Sequence, residues 1–215
     1  MRVLSYSLYG DQLCYQLTLL MNLGLIAKIF PGWEPWIYAD RTIDPTMLKY
    51  LENRGGKLIM MDPQPARIGS LWRYDPLWHS EVEYTLVRDA DELVSATHKA
   101  AVDMWIDSGK LLYTAHTVPA HARKIIAALW GIRGDWGREK LPQPKWLPEE
   151  GFTGYYGEDE DWLDNHLLPL VQHSWLKFRA NKEGVMDGPE FVSIPYEHLT
   201  PYYRWSNAQF GALPQ

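Results

Sequence analysis

The chain has 215 residues, 46% hydrophobic and 22% charged, which suits one globular domain with a substantial core. A net charge of −6 at pH 7 excludes a general affinity for nucleic acid or anionic membrane, and the single cysteine, Cys14, excludes an internal disulfide framework. No run approaches the ~20 apolar residues of a membrane span, and Met1-Arg2-Val3-Leu4 enters a strand pattern rather than a signal peptide, so the expectation is a cytoplasmic protein off the membrane.

Val3–Leu8 reads as the first strand. Leu13–Phe30 follows as a helix, with Leu17, Leu20, Met21, Gly24 and Leu25 at helical spacing and Pro31-Gly32 as its stop. Cys14 falls among its apolar residues as a structural thiol. A second strand lies in Pro35–Asp40. A helix over Pro45–Asn53 closes on Arg54-Gly55-Gly56, and Lys57–Met61 is a third strand ended by Asp62-Pro63. Ala66–Tyr74 reads as helical, and Val82–Val87 as a buried strand of apolar, β-branched and aromatic residues. Ser95 caps the next helix, whose stripe is Ala101, Val102, Trp105 and Ile106, and Gly109 follows its end. Leu111–Thr114 is a strand and His121–Trp130 a helix ending at Gly131. Gly134–Gly157, rich in Pro and Gly, reads as a long loop or lid, Glu158–Leu170 as acidic and then helical, Phe191–Ile194 as a late strand, and Pro195–Gln215 as an aromatic tail.

Strands separated by helices predict an α/β domain over 1–215 with a mostly parallel sheet, and such sheets bind ligands beyond the carboxyl ends of their strands. Ser7-Leu8-Tyr9-Gly10, Asp40 and Asp89-Ala90-Asp91 fall at such ends. The last is the most informative. Side chains two apart in a strand share a face, so two carboxylates converge there: either they are solvated acids at a polar strand end, or like charges that close need neutralising. Hard cations such as Mg²⁺ or Mn²⁺ take one or two carboxylates together with substrate phosphates. The eleven Trp and thirteen Tyr make either a large aromatic core or a surface on which sugar or base rings stack. Trp72, Trp105 and Trp130 fall on helical stripes and read as core.

Several motifs in order resemble a family of small nucleotide-sugar-dependent glycosyltransferases of the GT-A type, found in bacteria and phages. They are Leu71-Trp72-Arg73-Tyr74, Val87-Arg88-Asp89-Ala90-Asp91, Ala101-Val102-Asp103-Met104-Trp105, Pro119-Ala120-His121 and Leu129-Trp130-Gly131. The match runs from about Ser7 to His173, with its specific block from Arg73 to Gly131. The resemblance implies a GT-A-like (Rossmann-like) fold in which Asp89 and Asp91 bind Mn²⁺ or Mg²⁺ and so hold the diphosphate of a sugar donor, UDP being favoured. It implies that Ser7, Tyr9 and Gly10 lie against the nucleoside and that His173 completes the metal shell. The family's Asp-Gln before a helix aligns with Asp159 and Glu160, a slip toward Glu158 or Asp161 being the alternative. The family's Asp before Pro-x-His is absent from His116-Thr117-Val118-Pro119, and its Ser after the acidic pair is Glu92 here.

Sugar transfer needs the leaving diphosphate stabilised, and Arg73 and Arg88 are the cationic candidates. An inverting reaction also needs a base, for which Asp159 or Glu160 stand. Asp40 is a candidate nucleoside contact, and His116 and His121 are candidates for the acceptor side. The acceptor is a glycan, lipid-linked or protein hydroxyl, or a hydroxymethylated base in phage DNA. For DNA, the segment Ala122–Lys145 offers Arg123, Lys124, Arg133, Arg138, Lys140 and Lys145. The competing readings are a non-catalytic sugar-nucleotide or carbohydrate-binding domain, a phosphatase of the haloacid dehalogenase type, and a glycoside hydrolase. Intact Asp89 and Asp91 oppose the first. The fourth-strand position of the pair opposes the second, and a diphosphate-type site is superfluous in the third.

Overall fold

The computed structural model describes residues 1–64, 68–116, 123–136, 138–141, 153–179 and 191–192. In chain order they form β1 (Arg2–Leu8), α1 (Leu13–Ile29), β2 (Trp33–Ala39), α2 (Pro45–Asn53), β3 (Lys57–Met60), a 3₁₀ segment (Ile68–Trp78), β4 (Tyr84–Arg88), α3 (Ala96–Ser108), β5 (Leu112–His116) and β6 (Leu129–Arg133). After a 3₁₀ turn (Arg138–Lys140) come α4 (Glu158–Trp162), a π turn (Leu163–Leu167), α5 (Leu168–Val171), β7 (Trp175–Arg179) and β8 (Phe191–Val192). The strands make one sheet in the order β3-β2-β1-β4-β6-β5-β7-β8. Every pairing is parallel except those of β6 with β4 and β5. The expected α/β architecture with a mostly parallel sheet is therefore present.

Strand alternation sorts the core into two layers. Leu4, Tyr6 and Leu8 of β1, with Tyr84 and Leu86 of β4, face α1, α2 and α3. Val3 and Val87 face the opposite way, toward the 3₁₀ segment and the Trp162 helix. Local chemistry explains the helix ends. Asp44 caps α2 by accepting from Thr46 N at 2.7 Å, with Pro45 in the first turn. Ser95 caps α3 by accepting from His98 N at 3.1 Å, and Gly109 closes it at φ 65°. The Pro at 76 sits within the 3₁₀ segment, where a regular α-helix would lose a hydrogen bond.

Two expectations are corrected. No helix covers His121–Trp130 among its described residues: 123–128 form bends and turns, and Leu129–Trp130–Gly131 lie in β6 between β4 and β5. A Cβ on Gly131 would stand 2.8 Å from Thr85 O and 3.1 Å from the Trp105 ring, so the glycine lets α3 and β4 close on this strand. The stripe read on α1 is only partly inward: Leu20 and Leu25 pack against the core. Leu17 and Met21 are exposed, while Gln16, Thr18 and Asn22 are buried beside Leu19, Leu23 and Ile26. Of the stretch read as a lid, Trp136 and Leu141 are buried in the core. The tail Pro195–Gln215 lies outside the described residues.

Candidate functional site

β1, β2, β3 and β4 run parallel, so their carboxyl ends share one edge of the sheet. The chain leaves β1 for β2 on one side and reaches β4 on the other, and ligands bind at such a switch in parallel sheets. At this point Asp89 follows β4 on the face of Val87, whereas its neighbour Arg88 points to the other face.

Arg73 meets Asp89 there. Its guanidinium is 7% exposed, donates from Nη1 to Asp89 Oδ1, and donates from Nη2 to Asp159 Oδ2 at 3.0 Å. Burial alone would lower the Arg73 pKa, but Asp89 and Asp159 outweigh it and raise it, so the group is a fixed cation. Its backbone is held too: Arg73 N donates to Ser7 Oγ at 3.0 Å, and Ser7 Oγ donates to Ser70 O at 3.2 Å. Asp159 reaches Arg73 because Trp162, one turn later in α4, packs on Tyr74 with ring centroids 5.7 Å apart. The structure thus brings together Ser7, Arg73, Asp89 and Asp159, which lie far apart in sequence.

A second set lines the same edge. Asp40, 3% exposed at the end of β2, accepts from Thr42 N at 3.0 Å and from the Thr42 hydroxyl, and Thr42 Oγ1 accepts from Gly10 N at 2.7 Å. Gly10 takes φ 78°, a conformation that glycine adopts without strain. Tyr9 lies over Gly69, where an added Cβ would come within 2.7 Å of its ring, and edge-on to Trp72. Asp40 is therefore a brace of the β1 loop, and Tyr9 and Gly10 stand at the same sheet edge as Asp89.

Other residues read from the sequence stand elsewhere. Arg88 is fully buried against α1 and α3, donating to Leu93 O at 3.3 Å and pairing with Glu92 at 3.6 Å. It ties down the turn that carries the acids instead of facing a ligand, because residue 88 shares the inward face of Tyr84 and Leu86. His173 is exposed two residues before β7, whose first residue pairs with Leu112 at the amino end of β5. Through β6, Leu112 is level with Thr85, so strand register sets His173 at the opposite edge from Asp89. The fold does not bring it to the acidic pair. His116 ends β5 at the same edge as Asp89; its side chain and all of His121 lie outside the described residues. Glu160 turns away from Arg73: Oε1 accepts from Ala127 N at 3.4 Å and Oε2 lies 3.7 Å from Arg123 Nε. Burial, with help from Asp159, holds its carboxyl above the usual range.

Sequence reasoning missed Tyr15 and Asn22. Asn22 Nδ2 donates to Glu92 O at 2.8 Å and its Oδ1 accepts from Val94 N at 2.9 Å, which fastens α1 along the turn after β4. Tyr15 lies two helical turns earlier, exposed, within electrostatic range of Asp91 and Asp89. Burial first, and then these carboxylates, push its phenol up to about 12. The available signal was the polar trio Gln16, Thr18 and Asn22 on one side of α1. Among the described residues, no three His, Cys, Asp or Glu side chains form a group that could hold a metal. Asp89 and Asp91 are nevertheless the hard oxygen donors that Mg²⁺ and Mn²⁺ use alongside substrate phosphates, so the donor set fits a cation arriving with a diphosphate.

The chain has a mostly parallel α/β sheet flanked by helices, and comparison with solved structures matches this fold to that of GT-A glycosyltransferases. The TarS fragment 1–349 of S. aureus aligns with a TM-score of 0.53 at 13% identity, over 82% of this chain and 58% of that one. Glucosyl-3-phosphoglycerate synthase from Mycobacterium tuberculosis, solved with Mn²⁺, UDP-glucose and glycerol 3-phosphate, aligns at 0.53 and 10% identity, over 99% of this chain and 75% of that one. The same enzyme with Mn²⁺, UDP and phosphoglyceric acid aligns at 0.50 and 12%, over 100% and 80%. The chain spans little more than half the length of the TarS fragment, and the likeness is one of fold. No protein-family model and no curated protein sequence matches the chain.

Proposed function

We propose that this chain is a glycosyltransferase that moves a sugar from a nucleoside diphosphate donor, UDP-linked, to a hydroxyl of a glycan acceptor. The observation that carries the reading is Arg73 held between Asp89 and Asp159 at the switch point of the sheet, in the fold that UDP-sugar enzymes use. In this reading the β1 loop at Ser7, Tyr9 and Gly10 receives the nucleoside. Asp89 and Asp91 would hold Mn²⁺ or Mg²⁺, and a cation there would supply charge compensation for the leaving diphosphate. Arg73 is a positioning residue that fixes Asp89 and carries Asp159 into the site. In the transfer, the bond from the anomeric carbon to the phosphate oxygen breaks, the bond to the acceptor oxygen forms, and the hydroxyl proton passes to a base. Glu160 suits that last role better than Asp159, since burial raises its proton affinity while Asp159 is committed to Arg73.

A glycan is favoured over DNA because cations of the basic segment are already engaged. Arg123 pairs with Asp161 and Glu160, and Arg133 with Asp135 and the Gly109 carbonyl. The test is a panel of UDP-sugars incubated with Mn²⁺, scored for release of UDP with water or oligosaccharides as acceptor. Turnover that is lost in Asp91→Asn supports the reading. Equal turnover in that variant refutes the acidic-pair site.

A further inference from the structure

We propose that Tyr15 is a substrate-contacting residue of this site, its phenolic O–H donating a hydrogen bond to the diphosphate held at Asp89 and Asp91. The inference rests on the proposed function above and adds a residue to the donor site.

The placement follows from the fold. α1 begins five residues after β1 ends, at the same sheet edge as Asp89, because β1 and β4 are parallel neighbours. Farther along, Asn22 grips Glu92 O and Val94 N, so the turn from Asp89 to Val94 runs beside this helix. Seven residues make nearly two full turns, so Tyr15 shares the face of Asn22 and meets the earlier part of that turn. The residue is 36% exposed, so it stands at the surface rather than in the core. An electrostatic coupling to Asp91 and Asp89 agrees with that placement.

The chemistry suits this position. Two carboxylates repel a diphosphate until a cation intervenes, so the site benefits from a neutral donor aimed at phosphate oxygen. A tyrosine hydroxyl, neutral near pH 7, supplies one without adding charge. Arg73 is less available for that task, since two carboxylates already occupy its guanidinium.

The test is calorimetric titration of UDP and of uridine, with Mn²⁺, into the wild-type chain, Tyr15→Phe and Tyr15→Ala, alongside thermal melting of each. Losing one hydrogen bond to a charged group weakens binding by about tenfold or more. Tyr15→Phe is expected to weaken UDP by that factor, to leave uridine unchanged and to melt with the wild type. Wild-type UDP affinity in Tyr15→Phe overturns the proposal while leaving the donor site standing. A loss confined to Tyr15→Ala also overturns it, since the ring and not the hydroxyl is then at work. Equal losses for uridine and UDP place the residue against the nucleoside and refute the phosphate contact. A wild-type chain that binds no UDP refutes the donor reading itself, and this inference with it.

Discussion

Arg73→Met removes the cation that pairs with both Asp89 and Asp159 while keeping most of the apolar stem. Removing one partner of a fully buried ion pair costs about 3–5 kcal/mol, because the remaining charge is left uncompensated. Here Asp89 is 32% and Asp159 17% exposed, so water screens part of that cost. We therefore expect about 2–3 kcal/mol, toward the bottom of that range and below it. For a chain of this size each kcal/mol moves the melting temperature by about 2–4 °C, so the variant melts about 4–12 °C below the wild type. Adding Asp159→Asn to Arg73→Met removes one of the two opposed charges and restores a measurable part of the loss, a coupling read from the double-mutant cycle. Scanning calorimetry at low ionic strength is the assay. A melting temperature within about 2 °C of the wild type, with no coupling in the cycle, would refute the bridge as an organising feature of the site.

Three further outcomes are expected. Gly131→Ala pushes a Cβ to 2.8 Å from the Thr85 carbonyl oxygen, a backbone atom with little freedom to move, and loses about 1–3 kcal/mol in denaturant unfolding. His98 is fully buried against Phe30 and Tyr113, without a hydrogen-bond partner on either ring nitrogen among the described residues, and burial followed by Arg88 holds its pKa well below the usual value. The unfolded chain therefore takes up a proton below about pH 6.5 that the folded chain refuses, so stability falls with acidification by up to about 1.4 kcal/mol per unit; His98→Leu flattens that slope in urea titrations at pH 5 and pH 7, and an unchanged slope would contradict the assignment. Glu160→Gln leaves UDP binding intact and lowers kcat by about 10²–10⁴, as expected for loss of a general base; a loss in binding alone would assign Glu160 a structural part.

Much of the fold was legible because its local signals agree with its packing. Ser95 and Gly109 bracket α3, Asp44-Pro45 opens α2, and the four parallel strands alternate with helices, which is enough to expect a carboxyl-edge site at Asp89. The short run Leu129–Trp130–Gly131 was not legible, since so few apolar residues fit a helix and a buried strand equally well. What decides it is the long-range fit of Gly131 under Trp105 and beside Thr85. Arg88 and Asp89 were read together as facing a ligand, yet strand alternation sends them to opposite sides, and a charged residue fully buried in β4 leaves no trace in the local pattern. Asp159 could be aligned but not joined to Arg73, because that contact spans 86 residues of chain and depends on Trp162 packing on Tyr74. On α1 the apolar spacing carries no sign that a polar residue, Asn22, fastens the helix to the acidic turn, so the same reading gives no reason to single out Tyr15.

The most direct measurement is calorimetric titration of UDP into the purified chain, with Mn²⁺ and again with chelator, repeated on Asp89→Asn. Saturable binding that needs the cation and is lost in the variant is the predicted result. An absence of UDP binding under both conditions, or binding indifferent to Asp89, would contradict a nucleotide-sugar site at the carboxyl edge of the sheet.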